Sequence, residues 1–369
     1  MSTTIAEHAH DVRVEPNADL DENANSSRTG VTLGTIIGNC AQHDVNGQAI
    51  FWLVASDLDK YTSFSVPLMF FGHGISKHPE NPNLVAVFEK RGKGACEVDL
   101  EAQRVVRMIE TKPEREFYGH GTYIAGRDEL FAAETVVSNN HEGLLVVRDS
   151  NTMQELDAFP TYGSRPHDLH LLSDNKTLMV TNGGGLYGEK EKGSVALIDV
   201  DSYQLIEKYE VDNTSINAGH VARSANGNMA VVSAPRDGIT VKKPVGGITI
   251  GGGSRPFVRA IMPPLLEKRL KGETLSVCVD EKNQRALTTT PDAGLALVWD
   301  MKNGKLVKKF NLEMPKGVCL TANKKHFVIS HIENGPGLTF IDVDSLEIDS
   351  QRRLNAPFTG SHLFNTALL

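Results

Sequence analysis

The chain lacks any CxxC pair. Its four cysteines, Cys40, Cys96, Cys278 and Cys319, stand at least 41 residues apart, which excludes a disulfide framework and a thiolate zinc module. Cys96, Cys278 and Cys319 lie in apolar, strand-like runs and are expected as buried thiols. Positive charge is not in excess either. Lys and Arg number 38 against 46 Asp and Glu, a net charge of −8, and that argues against a protein that grips nucleic acid by neutralising phosphates. No apolar run approaches the roughly 18 residues of a membrane-spanning helix. No GxSxG motif is present. The run Asn182-Gly183-Gly184-Gly185 follows a strand but precedes no helix, so it makes a poor phosphate loop. Aromatic residues are only 6% of the 369.

What is there in quantity is turn chemistry and enough apolar surface for a core: 33 glycines, 16 prolines and 40% hydrophobic residues. Residues 1–30 stand apart, an acidic stretch with too little apolar surface to offset its ordering entropy, and are expected to be disordered. They show neither the basic nor the apolar region of a signal peptide. As it stands the sequence points to the cytoplasm, and to the periplasm if an export signal was trimmed. His8 and His10 read as solvated tail histidines, with a loose metal-capture arm as the alternative.

The strongest signal is internal repetition. Short β-branched runs end in Asp99, Asp149, Asp199, Asp300 and Asp342, at intervals of 50, 50, 101 and 42 residues. A second series runs in phase. Gly72-His73-Gly74, Gly119-His120-Gly121, Pro166-His167-Asp168 and Gly219-His220-Val221 each open a short strand, at His intervals of 47, 47 and 53. Ser361-His362-Leu363 follows 142 residues later, room for two further repeats that carry Ser276 and Gly317 where the others carry His. Units of 40–55 residues with four strands each are the propeller signature. The expectation is an all-β, seven-bladed β-propeller over residues 31–369, a single domain, in which N-terminal strands and the C-terminal strand share the closing blade and remove exposed sheet edges. A short helix is expected near Pro264–Leu270, and a hairpin at Gly246–Ser254.

The first strand of a propeller blade lines the central channel, so His73, His120, His167, His220 and His362 would face one another from five adjacent blades. Converging neutral imidazoles are good ligands for zinc, copper or iron. Glu134, at the end of a second strand, is a candidate carboxylate ligand, with Glu89, Asn182 and His331 at matching positions. In WD-repeat propellers a Gly-His pair serves instead a hydrogen-bonded network within the blade, about 11 residues before the first tight turn. Here His73 lies six residues before Pro79 and His167 six before Ser173, inside the innermost strand, which favours ligands. His78, His141, His170 and His326 fall out of phase and are expected on the surface or within blades, with His170 facing away from His167.

The stretches FYGHGTYIAGRDELFAAET and FPTYGSRPHDLHLLSDNKTLMVTNGG and the closing GSHLFN resemble a bacterial family of seven-bladed propellers known as a domain of unknown function. The resemblance covers about residues 65–365. It picks out His73, His120, Glu134, His167, His220 and His362. It implies twin-arginine export and genes near imelysin-type, iron-regulated ones, and so one bound transition metal ion, with iron favoured over zinc or copper. AETV around Glu134 departs from the family's TEND, and Gly219-His220-Val221 from its RHL. Three functions stay open: metal uptake or handling without catalysis, a mononuclear metal-dependent oxidoreductase, and an interaction scaffold with structural histidines. The first predicts a closed site, the second an open ligand position beneath a pocket, the third no metal. Partners beyond the metal are left open: a small molecule at the channel mouth, and a protein on a propeller face.

Overall fold

The structure is a computed structural model that describes residues 32–240, 242–332 and 335–369. The expected disordered tail and its His8 and His10 lie outside these residues. The fold is all-β, a β-propeller. No helix among the described residues is long and apolar enough to cross a membrane. The short helix falls at Pro264–Glu267, and the hairpin joins Gly247–Gly252 to Arg255–Arg259.

The recurrent Asp is explained by the turn that follows it. The side chains of Asp99, Asp149, Asp199 and Asp342 each accept hydrogen bonds from the backbone N–H groups two and three residues on. Asp300 does the same for Lys302. Four residues after each Asp, the chain enters the left-handed region: Gln103, Met153, Tyr203, Gly304 and Leu346 all have φ between +52° and +70°. An Asp that mimics a backbone turn lowers the cost of that conformation. The repeated Asp thus marks the hairpin between the third and fourth strands of each unit.

The ring closes as expected. Leu363–Asn365 pairs with Thr35–His43, which pairs with Ala49–Asp57 and then Thr62–Leu68. The separation into seven blades is not what the strands form, and that expectation is corrected. Five four-stranded blades stand as separate sheets, and residues 72–164 make one eight-stranded sheet. The physical reason lies in the strand Leu84–Gly92. It overruns its own four-stranded half, and Lys90 and Gly92 pair with Tyr118 and Phe117 of the strand Arg115–Ile124. Backbone pairing therefore crosses where only side-chain packing would separate two blades. Arg91 takes a positive φ of 61° between these two pairs.

Between neighbouring sheets the core is apolar and close-packed. Phe88, Phe117, Ala132 and Ile109 fill the inside of the eight-stranded sheet. Ile36, Phe340, Leu354, Phe358 and Leu363 fill the seam where the two ends of the chain meet. Cys40, Cys96 and Cys319 are buried and Cys278 is half-buried, all four with free thiols. Phe358 is 1% exposed and bridges the seam, so Phe358→Ala is expected to destabilise the fold by about 3–5 kcal/mol. Urea unfolding of the variant beside the wild type checks this, and a loss below about 1 kcal/mol would show that the seam does not hold the ring closed.

Candidate metal centre

Three of the five axial histidines sit where the backbone departs from a regular ladder, and His220 and His362 stand just ahead of the strands Val221–Arg223 and Leu363–Asn365. His73 lies between the pairs Gly72–Glu89 and Gly74–Phe88, so two residues face one. His120 lies in the irregular stretch between Phe117–Glu134 and Gly121–Ala132. His167 and Asp168 lie together between Pro166–Asn182 and Leu169–Val180. Bulges of this kind re-aim a side chain. Glycines then let the rings approach. A Cβ on Gly74 would stand 2.4 Å from the Gly119 carbonyl oxygen and 2.6 Å from His120 Nδ1. Gly119 has φ +121°, and its Cβ would stand 2.9 Å from His73 Cδ2. Ser276 and Gly317, the two positions without His, carry contacts of another kind. Ser276 Oγ accepts from the Val318 N–H, and a Cβ on Gly317 would fall 2.5 Å from the Leu363 nitrogen.

All five histidines are buried, and they converge. The Nε2 atoms of His167 and His220 are 2.9 Å apart, those of His362 and His73 3.1 Å, and those of His73 and His167 3.3 Å. One ligand nitrogen each from His73, His120, His220 and His362 can be chosen so that all lie within 4.8 Å of one another. His167 Nε2 borders this group through His73 and His220. His120 Nε2 is buried with no hydrogen-bond partner.

One outer nitrogen fixes a tautomer. His167 Nδ1 is 3.0 Å from the Tyr118 carbonyl oxygen. A carbonyl only accepts, so Nδ1 carries the proton and Nε2 of the neutral ring is bare. Asp168 serves two more rings: Oδ1 is 3.3 Å from His120 Nδ1 and Oδ2 is 3.6 Å from His220 Nδ1. Oδ2 also accepts from the Val221 N–H at 3.0 Å and stands 2.9 Å from His170 Nε2. Asp168 thus faces the outer edges of His120 and His220, the position from which a carboxylate supports a metal-bound imidazole.

Burial holds the five rings neutral. Burial, and then the neighbouring His362 and Lys90, hold His73 well below the ordinary imidazole value. Burial, Lys90 and His220 do so for His167, and burial, His220 and His120 for His362. His120 is lowered by burial to about 3 despite Asp168, and His220 is lowered by burial against the same carboxylate. Burial opposes ionisation of Asp168, but the facing His170 and His120 hold its carboxyl well below the usual range. For His170 the carboxylate prevails over burial and the shift is upward.

Glu134 is placed elsewhere. Its carboxylate is fully buried against Arg148 and accepts from the Thr111 hydroxyl at 2.6 Å, so it is a partner in a buried ion pair rather than part of the four-histidine group. The other strand-end candidates also face within their sheets. Glu89 accepts from the Gly94 N–H, Asn182 bonds the Thr161 hydroxyl, and His331 Nε2 meets Thr339 Oγ1. His78 caps a turn through the N–H groups of Glu80 and Asn81, and His326 stands 3.7 Å from Asp349. The residue that sequence reasoning passed over is Asp168. It was visible only as the acidic member of Pro166-His167-Asp168-Leu169, and a regular strand would have turned it away from His167.

On one side the cluster is open. A small cleft of about 50 Å³ is lined by His167 and His220 together with Lys90, Arg165 and the glycines 183–185. A Cβ on Gly184, whose φ is +80°, would stand 2.6 Å from the Lys192 backbone.

Over residues 66–363 the chain matches the family model described as "Protein of unknown function (DUF1513)". The chain belongs to this family. No curated protein matches it. Among solved structures it is similar to "Kuenenia stuttgartiensis Hydrazine Synthase", with a TM-score of 0.64 and 14% identity over 83% of this chain and 95% of that one. It is also similar to "Dihydro-heme d1 dehydrogenase NirN in complex with DHE", with a TM-score of 0.56 and 12% identity over 90% of this chain and 69% of that one. At these identities the likeness shows the fold alone.

The neutral cluster gives the metal-free DUF1513 protein a defined pH response. A histidine held below its ordinary value binds a proton more readily in the unfolded chain. Its contribution to stability is fully present above pH 6.5 and is lost as pH falls from 6.5 towards the folded value, about 3 for His120. His170 works in the opposite sense, its contribution being lost as pH rises through its raised value. Five lowered groups outweigh one raised group, at about 1.4 kcal/mol per pH unit for each proton taken up only on unfolding. Urea midpoints of the metal-free protein are therefore expected to fall steeply from pH 7 to pH 5, and less steeply in His120→Gln. A flat profile in the wild type would show that the rings are not held neutral.

Proposed function

We propose that the protein binds one transition metal ion at the propeller axis, in the uptake or handling of that metal. His73, His120, His167, His220 and His362 would hold the ion through Nε2, and Asp168 would orient His120 and His220. The observation that carries this reading is the convergence of four buried ligand nitrogens within 4.8 Å of one another, with His167 Nε2, bare in the neutral ring, 2.9 Å from His220 Nε2. Nitrogens that share one ion at the usual ~2.0–2.1 Å bond length stand about 2.9–3.4 Å apart, the range of the three Nε2 contacts seen here. Buried His120 Nε2, with no partner, adds a further donor aimed inward.

The donor set is imidazole with no thiolate, which suits iron, zinc and copper and disfavours calcium or magnesium. Iron is favoured by the family context that the sequence motifs imply. Bound there, the ion would supply a Lewis-acidic or redox centre at the foot of the cleft. The chain's own residues hold the rings neutral, fix the protonated edge of His167 outward and exclude solvent from all but one side. That open side favours a second reading, a mononuclear metal-dependent oxidoreductase with a free ligand position beneath the cleft. Glu134, in its ion pair with Arg148, would contribute by holding its sheet rather than as a ligand.

Elemental analysis of protein purified without a metal-affinity column is expected to find about one iron, zinc or copper ion per chain. His167→Ala and His120→Ala are expected to lose most of it while keeping the circular-dichroism spectrum of the wild type. Asp168→Asn is expected to weaken metal binding about 10- to 100-fold. Wild-type protein that holds no metal, and takes up none of the three ions in calorimetric titration, would overturn the proposal.

A further inference from the structure

The cleft above the cluster has a charge that metal binding does not use. Four cationic side chains, Lys90, Arg91, Arg165 and Arg236, line it against two carboxylates, Asp237 and Glu273. Their commitments differ. Arg236 is buried and spends its guanidinium on the carbonyl oxygens of Gly185, Glu191 and Thr214. Arg91 donates to the Tyr118 hydroxyl at 3.2 Å and to Asp237 at 3.1 Å, so one carboxylate is already answered. Arg165 donates one nitrogen to the Gly184 carbonyl oxygen. Lys90 is exposed as a residue, though burial around its ammonium lowers it from the ordinary lysine value against the attraction of Glu273, and among the described residues no carboxylate lies within ion-pair distance of it.

Lys90 is also placed with care. It is the residue at which the strand Leu84–Gly92 crosses to pair with Tyr118, whose carbonyl oxygen fixes the His167 tautomer. The register that joins the two halves of the eight-stranded sheet therefore carries an unanswered ammonium to the rim of the histidine cluster. The wall opposite offers no competing backbone donors. The N–H groups of Gly183, Gly184 and Gly185 are bonded to the carbonyl oxygens of Arg165, Ser164 and Glu191. The attraction in this cleft thus comes from side-chain cations, with room beside them for a ligand larger than water.

We propose that the cleft binds a small, multiply charged oxyanion, a polycarboxylate or a phosphate, held by Lys90 and Arg165 directly over the axial cluster. This deepens the metal-binding reading and rests on it for what the anion meets at the cleft floor. A bound divalent or trivalent cation beneath the surplus of side-chain cations makes an anion the complementary partner. Oxyanions pair with ammonium and guanidinium groups through charge-assisted hydrogen bonds, which strengthen where water is partly excluded.

Calorimetric titration of the full chain with citrate and, separately, with inorganic phosphate tests this, with metal-loaded and metal-free protein side by side and elemental analysis of each sample. At least one of the two anions is expected to bind the wild type, and the one that binds identifies the source. Glycerol, uncharged, is expected not to bind. Lys90→Gln is expected to weaken anion binding at least tenfold while leaving the metal content unchanged. Equal affinity in Lys90→Gln and wild type, or no heat with either anion in either sample, would overturn the cleft assignment. Anion binding to a protein that never takes up metal would leave the cleft standing and sink the axial metal instead, so the two failures are told apart.

Discussion

Five imidazole rings crowded at the propeller axis, two of their nitrogens 2.9 Å apart, are the constraint around which the surrounding structure is arranged. The rings are buried where water cannot relieve the crowding. Every neighbouring feature makes the approach closer rather than looser. Bulges at His73, His120 and His167 turn the rings inward. Gly74 and Gly119 leave out Cβ atoms that would collide with neighbouring strands and rings. The Tyr118 carbonyl holds the outer proton of His167, and Asp168 faces the outer edges of His120 and His220. This is the arrangement the proposed cation would need.

The electrostatics divide by depth. At the level of the rings there is one carboxylate, Asp168, shared by His120, His170 and His220, and its charge is set against five rings kept neutral by desolvation. At the mouth the balance reverses, with cations in the majority. The carboxylate steadies the outer edges of the ligands without entering the inner group. Glu134, on the strand that follows that of His120, is instead neutralised by Arg148 inside its own sheet. Buried carboxylates need a partner of some kind, and the two solve that need differently, one with histidines and one with a guanidinium. That difference separates an orienting residue from a structural one.

What could be read from sequence was periodic, and what could not be read was local. The Asp series and the histidine series carry the strand-turn rhythm because each repeat must make the same left-handed turn and offer the same inner strand. The phase of His73, His120, His167, His220 and His362 follows from that rhythm alone. The division into blades did not, because whether two neighbouring units stay separate depends on two backbone pairs, Lys90–Tyr118 and Gly92–Phe117, and no side-chain pattern specifies an overrunning strand. Asp168 was hidden for a related reason. Adjacent residues on a strand face opposite sides, and only the bulge between Pro166 and Leu169 puts it beside the rings that His167 joins. Glu134 looked like a ligand from its strand-end position, while Arg148, four residues along the paired strand from its register partner Leu144, decided its ion-pair partner through side-chain reach.

A metal centre of this kind has no short motif. Ligands on a helix recur at three or four residues, and those of a zinc knuckle at two to four, because one local element must present them. On a propeller axis each ligand comes from a different inner strand, and the spacing between ligands becomes the length of a whole repeat. In the proposed centre the intervals of 47, 47 and 53 residues would thus be the ligand spacing itself, stretched by the architecture. The same geometry explains why the likeness to solved propellers of 12–14% identity carries the fold and nothing about the site. Ring closure requires apolar seams and turns, which many sequences supply. An axial cluster requires one residue per repeat at the innermost strand, and those few positions can change from protein to protein while the seams and turns stay as they are.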